Sequence, residues 1–342
     1  AASDVYKRQI EVSMDILINC LWILIGLVGL GYSADKFVYG ASNISLNVGI
    51  PSIIVGVIVV GIGTSAPEIL VSANAALDGK SELALGNAIG SNIANIAFII
   101  GVTALIIPIV VAKQLIKKEF AMMIGVTLLG AFLISDGMLS RFDALMMFGA
   151  LIFIMYFMVS SARAEKNKPT EVSDKPEMSL KKSILITVLG MGFLVAFSKL
   201  LVFGAVNVAT AFGVSELVIG LTIIAIGTSL PELAASLAAA RKGCPDLAIG
   251  NVLGSNIFNI LAVIGIASFI SPFEVSQDVL SRDLPLLILL SFAFILVAFS
   301  PKGDGKINRF EGFSFLTIFI TYMVVLIGES LGWFNFTEFL FS

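Results

Sequence analysis

Two glutamates of this chain lie inside apolar runs, in nearly identical surroundings. Glu68 ends the string GTSAPE and Glu232 ends GTSLPE, 164 residues later. A carboxylate without partners is expensive to bury, so a repeated one indicates a function such as cation binding. The same letters also fit a capping box, in which Ser65 or Ser229 is the N-cap of a helix and the glutamate is its third residue. The two roles are compatible, and we expect both.

A second repeated motif supplies neutral oxygens. GNAIGSNIAN at residues 86–95 corresponds to GNVLGSNIFN at residues 250–259. In each copy a serine and an asparagine four residues apart share one helix face, and a threonine precedes each glutamate by four residues. Hydrogen bonding between helices is the alternative role for such groups. The candidate neutral ligands are Thr64, Ser91, Asn95, Thr228, Ser255 and Asn259, whereas Asn92 and Asn256 are interpreted as packing or capping groups that face elsewhere.

This set of donors favours a hard cation. Carboxylate, hydroxyl and amide oxygens suit Ca²⁺, which takes about six to eight oxygens at roughly 2.3–2.6 Å. The chain has no histidine and only two cysteines, so a site for a softer metal is not expected. Two ionised glutamates would neutralise one Ca²⁺ or two monovalent ions, but not both sets together. No cofactor is expected.

The composition is that of a polytopic membrane protein. Of 342 residues, 58% are hydrophobic and 13% are charged, and the mean hydropathy is +1.01. A soluble domain has nearly twice that charged fraction. The net charge is −3, without a basic stripe, so nucleic-acid binding is not expected.

Apolar runs predict ten membrane spans. They cover residues 15–36, 48–77, 82–107, 115–134, 142–162, 181–207, 214–240, 246–270, 283–300 and 311–334. Beyond the first residues, only Lys80, Arg141 and Arg282 occupy the loops of one side, and the other side has most of the remaining lysines and arginines. The positive-inside rule then places both termini outside and the central linker in the cytoplasm. The expected location is the inner (plasma) membrane of the cell.

The two halves align at a constant offset of 164 residues, which predicts an internal repeat. Each repeat contains five spans, and this odd number inverts the second copy in the membrane, as in many transporters. Residues 1–13 lack an initiator Met and differ in character from the rest of the chain, so a non-native leader is expected there. The predicted organisation is a leader at 1–13, a first repeat at 14–162, a cytoplasmic linker at 163–180 and a second, inverted repeat at 181–342.

The doubled motifs G-T-S-x-P-E and G-N-x-x-G-S-N-I-x-N resemble those of the cation/Ca²⁺ antiporter superfamily, the sodium/calcium exchanger family and its prokaryotic relatives. The resemblance implies an all-α fold of ten transmembrane helices, with helices 2 and 7 broken at the centre and helices 1 and 6 free to slide. It also implies that Glu68 and Glu232 bind Ca²⁺ or Na⁺ in competition. Further ligands implied by it are Thr64, Ser65, Thr228, Ser229, Ser91, Ser255 and Asn95, with a Na⁺-binding carbonyl at Ala225. Several family members have Asp at the position of Asn259, so the stoichiometry is not carried over.

The function expected from the sequence is secondary antiport of Ca²⁺ for Na⁺ by alternating access, without an enzymatic activity or an obligate protein partner. Exchange of Ca²⁺ for H⁺ at the same glutamates is the alternative within transport. A channel and a membrane scaffold that no longer transports are alternatives from other classes. Two further acids, Glu119 and Asp283, are repeat-related and predicted to be solvated at span ends.

Overall fold

The structure, a computed structural model, describes residues 2–166, 175–301 and 303–333, and for residues 2–13, 116, 162–166, 216–217 and 220–221 the backbone alone. The middle of the predicted linker, residues 167–174, lies outside the described residues, as do residues 334–342 of the predicted second repeat.

The described chain is almost entirely helical, and several helices contain a π-helical segment. In chain order the helices are α1 (Ala2–Val48), α2 (Ser52–Thr64, with a π segment at Gly56–Gly61), α3 (Ala66–Leu77), α4 (Ser81–Ile106, π at Ala94–Ile100), α5 (Ala121–Ile134, preceded by Lys113–Leu115 and a π segment at Ile116–Phe120), α6 (Arg141–Lys166), α7 (Leu180–Ala211), α8 (Glu216–Ile219, Gly220–Ile224 as π, and Ala225–Thr228), α9 (Leu230–Arg241), α10 (Pro245–Ile270, π at Asn259–Ile264), α11 (Val279–Ala298, π at Val279–Asp283) and α12 (Arg309–Ser330).

Seven described helices are long and apolar enough to cross a membrane, and counting two bent helix pairs as one span each raises this number to nine. The fourth predicted segment, 115–134, coincides with α5 and its π segment. The first predicted segment ended too early at residue 36, since α1 continues to Val48.

The second and seventh predicted spans are both broken, as expected. Helices α2 and α3 meet at 44° around Ser65, and α8 and α9 meet at 50° around Ser229. A proline stands at the start of each following helix, where its missing N–H costs nothing. The two serines are N-caps by position, but their hydroxyls make no capping hydrogen bond. The predicted capping boxes are therefore wrong in this respect, and both hydroxyls remain available.

The long helices α1 and α7 pack against each other through repeat-related glycines. A Cβ added at Gly26 would lie 2.8 Å from Leu201, and one at Gly190 would lie 2.7 Å from Phe37. These two contacts are equivalent, because Gly26 corresponds to Gly190 and Phe37 corresponds to Leu201 at the repeat offset of 164 residues. The α1–α7 pair therefore has a local two-fold relationship.

The core lies around α4 and α10, which are the most deeply buried of the candidate spans. Two short antiparallel strand pairs lie at the helix ends: β1 (Ile109–Val111) with β4 (Gly305–Ile307), and β2 (Met138–Leu139) with β3 (Phe273–Glu274). The start of α10 contacts β1, and α4, which begins after the α3–α4 turn, contacts β3. We call these opposite ends of the molecule the β1/β4 end and the β2/β3 end.

Glu119 and Asp283 are buried, at 6% and 7% exposure, so the prediction that they are solvated is wrong. Arg282 forms an ion pair with Asp283 at 2.7 Å and another with Glu329. The hydroxyl of Tyr322 donates to Asp283 at 3.1 Å. Its sequence neighbour Arg282 and the distant Tyr322 on α12 offset the burial of this acid, and the contact with Tyr322 was not visible from the sequence near Asp283.

Candidate cation site

The two helix breaks bring the two glutamates into the interior of the protein. Glu68 and Glu232 are the third residues of α3 and α9 and are exposed by only 1% and 2%. The two carboxylates lie close enough for their charges to interact. Each glutamate lies at the positive N-terminal end of its helix, which favours negative charge.

Nine of the eleven predicted site residues are buried. They are Thr64, Ser65, Glu68, Ser91, Asn95, Ser229, Glu232, Ser255 and Asn259, with exposures of 0–6%. The other two, Thr228 and Ala225, lie on the accessible side of the site, where Thr228 is partly exposed and Ala225 is exposed. The hydroxyl of Thr228 donates to the Ala225 carbonyl at 3.1 Å, so the carbonyl implied as a Na⁺ ligand already accepts one hydrogen bond.

Six buried oxygens of the predicted site have no hydrogen-bond partner among the residues that the structure describes. They form three repeat-related pairs: Ser65 Oγ with Ser229 Oγ, Glu68 Oε2 with Glu232 Oε2, and Asn95 Oδ1 with Asn259 Oδ1. Buried polar atoms are usually satisfied, so a group of six unsatisfied oxygens requires an explanation. Six oxygens, two of them from carboxylates, equal the smallest number of oxygen ligands that Ca²⁺ takes in proteins.

Two asparagines that were interpreted as packing groups instead orient the two predicted amide ligands. Asn95 donates through Nδ2 to Asn256 Oδ1 at 3.1 Å, and Asn259 donates through Nδ2 to Asn92 Oδ1 at 3.0 Å. With the amide nitrogens held in this way, each Oδ1 is left free. Asn92 Nδ2 in turn donates to the Asn256 carbonyl at 3.1 Å, which links α4 to α10.

The site is closed on the α2 side. The Thr64 hydroxyl donates to Asn251 Oδ1 at 2.9 Å and lies 3.4 Å from Ser255 Oγ. Its repeat mate Thr228 makes neither of the equivalent bonds, to Asn87 or to Ser91, among the described residues. Helix α2 is thus packed against α10, whereas its repeat mate α8 does not make the equivalent contacts with α4.

Glycine contacts show the same difference. On the closed side a Cβ at Gly250 would lie 2.9 Å from the Cα of Gly56, and one at Gly254 would lie 2.8 Å from the Cα of Val57 and closer still to its carbonyl oxygen, both on α2. The repeat mates Gly86 and Gly90 would meet nothing within 4 Å. Helix α8 has therefore moved away from α4, although the sequence provides both faces with the same small residues.

A cavity of about 370 Å³ occupies the open side. It lies between α7, the α8–α9 break and the first turns of α3, and Thr228, Gly227 and Pro231 form its inner wall. The cavity therefore reaches the accessible edge of the site from the β2/β3 end of the helices.

Sequence reasoning missed Asn87 and Asn251. Asn251 donates to the Glu232 carbonyl at 3.0 Å and to Ser236 Oγ at 2.9 Å, and Asn87 donates to Ser72 Oγ at 3.1 Å. Both residues were visible as the asparagine of the repeated G-N pair. Their helix face could not be assigned without knowing how α3 and α9 pack against α4 and α10.

The comparisons with known proteins agree with this architecture. The family model for "Sodium/calcium exchanger protein" matches residues 18–160 and 182–328. The chain is similar to the protein CaxA of Alkalimonas amylolytica, with 46% identity over 91% of this chain and 99% of CaxA. It is also similar to the inner membrane protein YrbG of Escherichia coli, with 37% identity over 85% of this chain and 92% of YrbG.

A solved structure of the sodium-calcium exchanger NCX_Mj, soaked with 10 mM Na⁺ and zero Ca²⁺, matches with a TM-score of 0.79 and 31% identity. The match covers 90% of this chain and 99% of that chain. The protein is thus a multi-pass membrane protein and not an enzyme. The chain belongs to the sodium/calcium exchanger family of secondary transporters.

Proposed function

We propose that the protein exchanges Ca²⁺ for Na⁺ across the cell membrane and that Glu68 and Glu232 bind both ions in turn. The observation that supports this most directly is the set of six unpartnered, buried oxygens from three repeat-related residue pairs. Two carboxylates offset two positive charges, so one Ca²⁺ or two Na⁺ complete the site, and binding of one substrate excludes the other.

The neutral ligands determine how the ions fit. Ser65 and Ser229 supply hydroxyl oxygens at the helix breaks, and Asn95 and Asn259 supply amide oxygens held by their asparagine partners. Thr228 and Ala225 are the accessible members of the set. We assign the first contact with an arriving ion to these two residues, before it reaches the glutamates.

Transport would proceed by alternating access in a fold of ten transmembrane helices arranged as two inverted repeats. The structure is open beside Thr228 and closed beside Thr64, and the two sides are built from equivalent residues. The opposite conformation would then open beside Thr64 and close beside Thr228. The α1–α7 pair, with its symmetric glycine contacts, is the unit that would slide against the remaining helices.

The distribution of lysines supports an orientation. Lys113 and Lys306 lie on or next to the strands of the β1/β4 end, and Lys242 precedes the start of α10 at that end. By the positive-inside rule this end is cytoplasmic, both termini are outside and the cavity opens to the exterior. The similarity to an inner membrane protein supports the inner (plasma) membrane as the location.

Exchange of Ca²⁺ for H⁺ remains the second candidate, because the same buried carboxylates can release Ca²⁺ on taking up protons. Radioactive Ca²⁺ flux into proteoliposomes, under separate Na⁺, K⁺ and proton gradients, tests the choice. We expect uptake when internal Na⁺ is high, and none in Glu232→Gln. Glu274→Gln, which alters an exposed glutamate, is the matched control. Uptake that follows the pH gradient and ignores Na⁺ would overturn the Na⁺ assignment.

A further inference from the structure

An ion pair joins α1 to the end of α9 on the closed side of the molecule. Lys242 Nζ lies 3.5 Å from Asp35 Oδ2, and both side chains are partly exposed. The same ammonium lies 6.0 Å from the centre of the Tyr39 ring. The contact spans the α1–α9 interface at the β1/β4 end, where the site is inaccessible.

The repeat relationship assigns each partner an equivalent residue of opposite charge. Asp35 corresponds to Lys199 on α7, and Lys242 corresponds to Asp78 at the end of α3, both at the same offset of 164 residues. Each pair thus takes its aspartate from the first repeat and its lysine from the second. The sequence therefore provides two possible ion pairs, one for each end of the molecule.

The second pair is not formed here. Neither Lys199 nor Asp78 has an ion pair with any described residue, and both are exposed. Lys199 lines the open cavity together with Phe203, which is the repeat mate of Tyr39. The residues that surround Lys242 on the closed side thus have equivalents that face open space on the other side.

Packing beneath the two pairs differs in the same way. At the closed end, Ala34 and Val38 of α1 and Ala235 of α9 are each 1% exposed and belong to one apolar cluster. Their equivalents Ser198, Val202 and Val71 line the cavity instead. The Asp35–Lys242 pair lies over the packed interface of α1 and α9. Lys199 and Asp78 lie over the equivalent interface of α7 and α3, which is open.

We propose that Asp35–Lys242 and Lys199–Asp78 are two charge-reversed latches, of which the first holds the β1/β4 end closed in this conformation and the second closes the β2/β3 end in the opposite one. This inference rests on the proposed alternating access. Because α1 and α7 move together, the sliding that brings Lys199 to Asp78 would separate Asp35 from Lys242. The latches are therefore mutually exclusive, and the balance between them biases the conformational equilibrium.

Partly exposed ion pairs are weak, so each latch would bias this equilibrium rather than lock it. We expect the loss of one pair to change the ratio of the two conformations by about two- to five-fold. Two latches of similar strength would keep both conformations populated, which rapid exchange requires.

Accessibility of two repeat-related probes measures this ratio in the full-length protein. In a background of Cys20→Ser and Cys244→Ser, Val206→Cys reports on the cavity wall, and its equivalent Ser42→Cys reports on the closed end. In detergent solution, where both ends face water, we expect Asp35→Asn to slow labelling of Val206→Cys by a polar thiol reagent and to speed labelling of Ser42→Cys. Lys199→Met should have the opposite effect. Asp15→Asn, an exposed change on the same helix as Asp35, should leave both rates unchanged.

Charge exchange separates a latch from a structural role. Asp35→Lys combined with Lys242→Asp should restore the wild-type ratio of labelling rates. Equal rates in Asp35→Asn and wild type, or no restoration in the exchanged variant, would overturn the proposal.

Cross-linking tests the pair that is not formed here. Two cysteines are shorter than a lysine and an aspartate, so a short bifunctional thiol reagent is needed in place of a disulfide. Linking Lys199→Cys to Asp78→Cys should stop Ca²⁺ flux and protect the cavity wall, whereas Lys199→Cys with Asp136→Cys, on another loop, should not link. Ca²⁺ flux by the wild-type protein in the same vesicles distinguishes failure of the proposed function from failure of the latch proposal. Absence of wild-type flux would reject the proposed function. Normal wild-type flux without a cross-link between the two cysteines would reject the latch alone.

Discussion

Asn259 donates its side-chain amide to Oδ1 of Asn92 at 3.0 Å, across the contact between α10 and α4. The bond uses the nitrogen of Asn259 and leaves its Oδ1 buried without a partner. Asn95 and Asn256 repeat this arrangement at 3.1 Å. Asn92 and Asn256 therefore determine which side-chain atom of Asn259 and Asn95 is available to an ion: the amide oxygen and not the nitrogen.

Removing an orienting asparagine should weaken Ca²⁺ binding although no ligand is lost. In Asn92→Ala, the amide of Asn259 loses its acceptor and can turn its nitrogen toward the cation. Loss of such supporting partners typically lowers metal affinity about 10- to 100-fold. We expect the Ca²⁺ concentration at half-maximal flux to rise by about ten-fold, and Asn74→Ala, an exposed change on α3, to leave it unchanged. An unaltered value in Asn92→Ala would show that Asn259 needs no support.

The sequence predicted which polar side chains are buried inside the membrane spans much better than it predicted the conformational state of the protein. Glu68, Ser65 and Asn95 and their repeat mates could be found because ionisable and amide side chains recur inside apolar runs at a fixed offset. Nearly identical motifs, however, cannot indicate that Thr64 is enclosed while Thr228 is accessible. That difference depends on whether α2 is packed against α10 or α8 is packed against α4. The two repeats have nearly the same contact residues, so the sequence is compatible with either packing.

Long-range contacts were also beyond the sequence. Asp283 was predicted to be solvated because it lies at the end of an apolar segment, and its burial is offset by the adjacent Arg282 and by Tyr322 of a different helix. The breaks in α2–α3 and α8–α9 could be predicted, because Pro67 and Pro231 act on their own helices.

The small residues of α4 and α10 should control which side of the site is closed. Gly254→Ala would place a Cβ 2.8 Å from the Cα of Val57 and against its carbonyl oxygen, and such overpacking typically costs about 1–3 kcal/mol. We expect it to destabilise the present conformation and to slow labelling of a cysteine at Val206 at least five-fold. The added Cβ of the repeat-related variant Gly90→Ala has no neighbour within 4 Å here, so labelling of the cysteine should stay fast. This variant should instead block the packing of α8 against α4 and therefore stop Ca²⁺ flux. Identical labelling in the two variants would contradict the proposed exchange of packings.

The charged cluster of α11 and α12 should contribute strongly to stability. Arg282→Met would leave the buried Asp283 and the partly buried Glu329 without this cation, and breaking a buried pair in this way costs about 3–5 kcal/mol. We expect a marked fall in the thermal denaturation midpoint in detergent. Arg282→Lys, which keeps the charge but not the planar geometry, should fall between that variant and wild type. Lys80→Met, at an exposed turn, should change nothing, and an equally stable Arg282→Met would show that the cluster is dispensable.

Adding a third carboxylate should change the number of ions exchanged. Asn259→Asp raises the charge of the site from −2 to −3, and neutralising it requires about three Na⁺ in place of about two. We expect a steeper dependence of Ca²⁺ flux on Na⁺ and a new sensitivity of that flux to membrane potential, because three Na⁺ against one Ca²⁺ moves net charge. Asn259→Ala removes the oxygen without adding charge, so it should weaken Ca²⁺ binding and leave the steepness as in wild type. If Asn259→Asp retains the wild-type Na⁺ dependence, ligand charge does not set the stoichiometry, and the two-carboxylate account of exchange fails.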